Sequence, residues 1–332
     1  MSDEKKKNCP LEKYKLRLVK YKVLKFLRKV VGKFGFQLLS EKQINHFKIY
    51  TAGLLRANNN KEAENDLINS IVFSKDRAMQ LHAFLSSYVQ QVSHRGRMHV
   101  LYKCSDERHR RSYADLIKTF SGDGFIFIEE QDFRNQVIQI CEQSFEDRII
   151  FYVDDMIFTH SLDYGFLKSI DTSKYVLALS RGRDMDYSIV LKRSLALPNF
   201  IRFNEQLLCF KWNEIRGHND WSFPLGVSGY MYGKPELVAM LKAIPFKAPN
   251  SLEDSLQTFL PFFKDRLGLC AEYAVCVCVH ANLVQTEGSN HILGTYSIED
   301  LLTCWEEGKR IQLQEFYNKP MNVTQIQKYS FN

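Results

Sequence analysis

The run Phe151-Tyr152-Val153-Asp154-Asp155-Met156-Ile157-Phe158 sets two adjacent carboxylates inside an otherwise apolar stretch. Side chains alternate faces along a strand, and a buried charge is costly. A buried strand therefore tolerates Asp154 and Asp155 only where the chain leaves the sheet. In open α/β sheets, strand ends are where ligands bind. A carboxylate pair there suits a hard divalent cation, Mg²⁺ or Mn²⁺, held against phosphates. A helix N-cap or a loop carboxylate is the plainer alternative. Two more apolar runs end in polar groups, Ser74-Lys75-Asp76-Arg77 and Lys103-Cys104-Ser105-Asp106. These loops could hold a nucleotide's base and diphosphate through Ser74, Asp76, Arg77 and Asp106, with Arg77 offering a planar fork of donors to phosphate oxygens. Ordinary turn and capping chemistry is the alternative for each.

Short apolar runs alternate with amphipathic segments from residue 68 onward, which predicts an α/β fold. Strands are expected over 68–73, 98–102, 125–128, 148–153 and 175–179, and helices over 78–89, 107–120 and 133–144. Each strand-to-strand repeat has the length of a right-handed βαβ crossover. Beyond residue 180 the rhythm changes to aromatic-rich, glycine-containing segments, Leu207–Trp212 and Asp220–Tyr230, of the kind that shapes a second binding surface. Helices are expected over 235–243 and 252–263, a strand over 273–279, and a closing helix over 298–307 capped by Ser297 with Asp300 three residues on. Trp221 and Tyr230 could stack on the apolar faces of a sugar or serve as core.

The formal charge of +7 is unevenly spread. The first thirty-four residues hold twelve Lys and Arg against three Asp and Glu, a net of +9, so the rest carries −2. A nucleic-acid binder would spread its positive charge over the folded domain, so nucleic acid is not expected as a partner. Within the basic segment Leu16, Val19, Val23, Leu27, Val30 and Phe34 recur at helical spacing, with most lysines and arginines on the other side. Such a helix over 11–34 can lie in the interface of an anionic membrane, or pack its stripe on the domain. Nothing in the sequence is long and apolar enough to span a bilayer, and lysines interrupt every apolar run that could form a secretory signal. The eight cysteines form no CxxC pairs, as in a reducing cytoplasm. The expected location is cytoplasmic, peripheral on the inner face of the plasma membrane. The expected division is a basic amphipathic helical extension over 1–60 and a catalytic domain over 61–332.

The order of these pieces resembles GT-A type glycosyltransferases. They are the opening strand with Ser74–Arg77, the Asp154-Asp155 pair, the Trp221–Gly229 segment, Pro249-Asn250-Ser251-Leu252-Glu253-Asp254, and Asn282-Leu283-Val284-Gln285 followed by Gly308-Lys309-Arg310-Ile311. The resemblance covers residues 66 to 313 and is similar to bacterial enzymes that build surface polysaccharide or lipopolysaccharide. It implies a Rossmann-like mixed sheet flanked by helices, with a nucleotide-sugar half over 66–180 and an acceptor half over 181–313. It also implies an inverting, metal-dependent transfer from a nucleotide-diphosphate sugar to a glycan or glycolipid hydroxyl. The usual Asp-x-Asp triplet has Val153 at its first position here. By the resemblance Asp155 would ligate Mn²⁺ or Mg²⁺, Asp154 would touch ribose, sugar hydroxyls or a metal-bound water, and a late histidine, His291 or else His280, would be a further ligand. The x-Glu-Asp pattern makes Asp254 the expected general base and Glu253 the reserve or acceptor-orienting group. Helix capping after Ser251 would ask for the same acids. A sugar nucleotidyltransferase shares the nucleotide-binding half but opens with a glycine-rich loop, which Ser74–Arg77 is not. A non-catalytic glycan-binding protein on the same fold is the third reading.

Overall fold

The computed structural model describes residues 22–32, 38–59, 68–189, 191–215, 219–279, 282, 296–326 and 329–332. The chain divides into two compact units, 1–48 and 49–332. In the first unit, residues 22–32 form helix α1, and helix α2 (Glu41–Asn59) begins with the Ser40 hydroxyl receiving the Gln43 N–H at 3.3 Å. The second unit starts inside α2, earlier than the polar joint Asn58–Lys61. Tyr50 explains why: it is buried, packs its ring on Phe259 and Phe262, and donates to Glu236 at 2.6 Å.

Strands β1 (Ile68–Lys75), β2 (Met98–Lys103), β3 (Phe125–Glu129) and β4 (Arg148–Val153) are parallel and lie side by side in the order β3-β2-β1-β4. Helices α3 (Ala78–Gln91), α4 (Glu107–Thr119) and α5 (Phe133–Gln143) make the crossovers. β1 is buried along nearly its whole length, as a parallel strand covered on both faces must be. Its two polar residues are satisfied inside the core: Asn69 bonds the Ser144 hydroxyl and the His99 ring, and Ser70 bonds Tyr164. α3 turns Leu81, Phe84, Leu85 and Tyr88 inward at helical spacing, and Phe84 and Tyr88 pack on Phe158.

The apolar run around the acid pair is two strands. β4 stops at Val153, Asp154 and Asp155 form a turn, and β5 (Met156–Phe158) continues in a separate three-stranded sheet with β11 (Cys276–Val279) and β12 (Gln325–Ile326). The rhythm changes after residue 180 because the remaining strands of the main sheet are mostly antiparallel. They are β6 (Tyr175–Gly182), β7 (Ile201–Arg202), β8 (Leu207–Lys211), β9 (Tyr230–Gly233) and β10 (Leu267–Ala271). The full order of this nine-stranded sheet is β7-β8-β10-β6-β9-β4-β1-β2-β3. β9 runs antiparallel between β4 and β6, so it joins the parallel half to the rest. The whole is a mixed sheet flanked by helices.

Helices α6 (Lys234–Ala243), α7 (Pro249–Leu256) and α8 (Ile298–Glu306) follow. The helix expected over 252–263 is broken: α7 passes through a 3₁₀ turn at Gln257–Phe259 into a short piece at Leu260–Phe263. Pro261 has no N–H to return to Gln257, which ends the α-helical ladder there. α7 also starts earlier than expected, with Pro249 at its first position, and Ser251 receives the Lys247 and Ala248 N–H groups from inside the first turn instead of capping it. α8 has the Ser297–Asp300 reciprocal cap. The strand expected over 273–279 is shorter, because Ala274 turns back to donate to Asp184.

Candidate functional site

The parallel order β3-β2-β1-β4 reverses between β1 and β4, the switch point outside which α/β sheets bind ligands. Phe73 pairs with Val153 in register, and the Asp154 N–H donates to the Phe73 carbonyl at 3.1 Å. This fixes the acid pair just beyond the end of β4, beside the last two residues of β1, Ser74 and Lys75. A cavity of about 540 Å³ opens there. Of the residues the sequence singles out, Ser74, Arg77, Asp154, Asp155, Tyr230 and Glu253 line it together.

Arg77 holds the acids. Its Nη1 donates to Asp154 Oδ1 at 3.0 Å and to Asp155 Oδ2 at 3.2 Å, while Nε and Nη2 go to the side chain and carbonyl of Asn282. The Arg77 and Asp154 side chains are almost fully buried. Asp154 spends its other oxygen on the Ser74 hydroxyl at 2.8 Å and the Lys75 N–H at 3.3 Å. Burial pushes the Asp154 carboxyl up to about 6, with Asp155 adding to the rise and Arg77 and Ser74 opposing it. Ser74 bonds Tyr113 as well, whose hydroxyl also receives the Arg77 N–H. The guanidinium expected to face phosphate is thus turned onto the acids, because four of its five N–H groups find carboxylate or carbonyl oxygen there.

Asp76 and Asp106 do not line the cavity. Asp76 sits in the left-handed region (φ 53°), which a short acid side chain tolerates, and its carboxylate takes the Ser105 N–H and hydroxyl, clipping the loop after β1 to the loop after β2. Asp106 caps α4 by accepting the His109 N–H at 2.9 Å. Trp221 is wholly buried, donates to the Met185 carbonyl and packs on Phe200 and Phe210, so it is core and offers no face to a sugar. His291 and His280 lie outside the described residues.

A divalent cation fits this site through one residue. Asp154 has both oxygens engaged, whereas Asp155 Oδ1 has no hydrogen-bond partner among the described residues. No three of His, Cys, Asp and Glu converge on a point among those residues. A single carboxylate supplemented by substrate phosphates is nevertheless a usual way of holding Mg²⁺.

The far end of the cavity is built by the end of β6, the 219–229 loop and the first turn of α7. The Tyr230 and Tyr232 hydroxyls tie this loop by donating to the Phe223 and Gly226 carbonyls. Glu253 enters the cavity wall and accepts the Val227 N–H at 3.2 Å. Burial raises its carboxyl above the usual range, with the Val227 N–H and Arg181 holding it down. Asp254, one residue on, faces the exposed side of α7 and does not line the cavity. Ser180, Arg181, Asp220 and Asn282 also line it and were assigned no role from sequence. Ser180 and Arg181 carried the same signal as Ser74–Arg77, polar residues at the end of an apolar run.

No family model matches the chain. Over 257 residues it is 25% identical to the bifunctional glycosyltransferase pgtA of Dictyostelium discoideum, a match covering 69% of this chain and 33% of that one. The likeness is to glycosyltransferases. The chain thus spans about a third of the curated relative it matches. Solved structures that overlap it include S. aureus TarS 1–349 in complex with UDP-GlcNAc, at a TM-score of 0.41 and 13% identity over 68% of this chain and 60% of that one. The mannosyltransferase PcManGT from Pyrobaculum calidifontis, in complex with GDP-Man and Mn²⁺, overlaps at 0.38 and 12% identity, covering 73% and 67%. A nucleotidyl transferase from Methanothermobacter thermautotroptrophicus overlaps at 0.35 and 11%, covering 63% and 89%.

Arg77→Met would leave two carboxylates buried without their counter-charge, at a cost of about 3–5 kcal/mol. Losing the guanidinium raises the Asp154 carboxyl further, so the stability it contributes is present at low pH and lost as pH rises. Urea denaturation should therefore show a deficit that is largest near pH 8 and shrinks toward pH 5. An equal deficit at both pH values would contradict the pairing.

Proposed function

We propose that this protein is a glycosyltransferase, moving a sugar from a nucleotide-diphosphate donor to a hydroxyl of a glycan or glycolipid. The observation that carries the reading is the meeting, in one cavity at the sheet's switch point, of a fixed acid pair and a half-buried carboxylate whose basicity is raised. The likeness to pgtA supports it. In this reading the donor diphosphate lies at the Asp155 and Lys75 end, and the sugar's reacting carbon points toward Glu253. Glu253 takes the proton from the acceptor hydroxyl as that oxygen forms its bond to the anomeric carbon. The bond from that carbon to the diphosphate oxygen breaks, and the electron pair leaves with the nucleoside diphosphate. Attack from the side opposite the leaving group inverts the anomeric centre. A Mn²⁺ or Mg²⁺ ion held by Asp155 would supply charge to the diphosphate as it departs. Asp154 and Arg77 position Asp155 and take no proton. We assign the base to Glu253 over Asp254 because a general base must reach the acceptor proton from inside the cavity. A surface polysaccharide as the acceptor's destination belongs to the same proposal.

We also propose that the basic segment over 11–34 associates with an anionic membrane surface. In α1, Val23, Leu24, Phe26 and Leu27 are exposed, with Lys22, Lys25, Arg28 and Lys29 among them. No described helix is long and apolar enough to cross a membrane.

Incubation with UDP-, GDP-, CMP- and dTDP-sugars, with Mn²⁺ or with EDTA, should release nucleotide from at least one donor. Glu253→Gln should lower kcat by about a hundredfold or more, and Asp254→Asn by far less. The reverse order would move the base to Asp254, and no release from any donor would remove the transferase reading. In co-sedimentation with vesicles, the protein should pellet with phosphatidylserine-containing membranes at low salt and be released by added salt. Equal binding to phosphatidylcholine vesicles, or none to either, would refute the membrane proposal.

A further inference from the structure

The acceptor-side end of the cavity holds buried polar atoms that the transfer chemistry above does not use. Ser180 is only 5% exposed, and its hydroxyl has no hydrogen-bond partner among the described residues. Asp220 Oδ2 is buried and has no partner among the described residues either. Between them in the wall stands Arg181, whose Nε donates to the Asp220 carbonyl at 3.2 Å and whose Nη1 donates to the Ser180 carbonyl at 3.3 Å. Its charge also acts on the neighbouring Tyr230 hydroxyl. It is half-buried, interacts electrostatically with Asp220 and Glu253, and makes no ion pair with either among the described residues. Leaving a buried donor or acceptor unmade costs the desolvation of that group, so such a cluster calls for a ligand that completes it.

The chemistry of the cluster selects among ligands. Asp220 needs a donor, Arg181 needs an acceptor, and the Ser180 hydroxyl takes either role. An anionic ligand would answer Arg181 but would face the carboxylates of Asp220 and Glu253. An amine would answer the acids and be repelled by Arg181. Neighbouring hydroxyls of an uncharged sugar donate and accept at once, and so answer all three.

We propose that Ser180, Arg181 and Asp220 form a hydroxyl-reading subsite for an uncharged hexose, which makes these residues the determinants of sugar choice. The proposal rests on the glycosyltransferase reading for which substrate brings the hexose, yet it can be tested without turnover. Saturation-transfer NMR on the full chain would use methyl glucoside, galactoside and mannoside against methyl glucuronide, each with and without UDP or GDP. At least one uncharged hexoside should give a signal, and methyl glucuronide should not. Asp220→Asn keeps the shape but exchanges the charged acceptor for an amide, and should weaken that hexoside's binding by about tenfold or more. Ser180→Ala should weaken it by a smaller factor, and UDP or GDP should bind both variants as they bind wild type. Preference for the glucuronide, an unchanged signal in Asp220→Asn, or no signal from any hexoside would overturn the subsite. Hexoside binding in a protein that binds no nucleotide would count against the donor reading and leave the subsite standing.

Discussion

Two carboxylates at the ends of buried strands repel each other and pay heavily for leaving water, so something must hold them there, and in this protein it is one guanidinium. Arg77 reaches both acids with a single nitrogen and uses the others to bind the side chain and carbonyl of Asn282. Arginine suits the task where lysine would not, because its planar fork serves several acceptors at once and never gives up its proton. The rest of the site depends on this contact. With Arg77 in place Asp154 is fully engaged, and among the described residues the open oxygen of the pair belongs to Asp155.

The fold supplies the coordinates for this arrangement. β1 and β4 are paired in register up to Phe73 and Val153, so the acid pair leaves the sheet beside Ser74 and Lys75, the last two residues of β1. Asp76 bends the chain through the left-handed region and anchors to Ser105, which sets Arg77 at the start of α3 with its side chain returning over the strand ends. On the other side β9 runs between β4 and β6, and the loop before it, tied by Tyr230 and Tyr232, carries the Val227 N–H that fixes Glu253. The cavity is therefore divided by chemistry, with paired charges at one end and unmatched hydrogen-bonding atoms at the other.

The parallel half was legible in the sequence because a strand buried on both faces must be nearly all apolar, and the polar residues after each run stand out against it. That contrast identified Ser74, Arg77, Asp154 and Asp155 as cavity residues, but it could not say which way each side chain turns. Asp76 and Asp106 carry the same residue type in the same kind of loop and face a turn and a helix cap. Arg77 looked free for phosphate because a sequence does not show that Asp154 and Asp155 lie within reach of it. Glu253 and Asp254 differ only by the rotation of one residue along a helix, about 100°, and the start of α7 at Pro249 decides which of them faces the cavity. Trp221 was ambiguous between stacking surface and core, and its contacts with Phe200 and Phe210 make it core. The antiparallel strands were harder to read because several are only two to five residues long, too short for a period to show.

The central claim is that Arg77 and Asp154 act on each other and not merely side by side, and a double-mutant cycle tests it most directly. Urea unfolding of Arg77→Met, Asp154→Asn and the double variant at pH 7.5 gives the interaction free of each residue's other contacts. The account predicts a coupling of about 2 kcal/mol, with the double variant more stable than the sum of the single losses implies. Additive losses, with a coupling near zero, would contradict it.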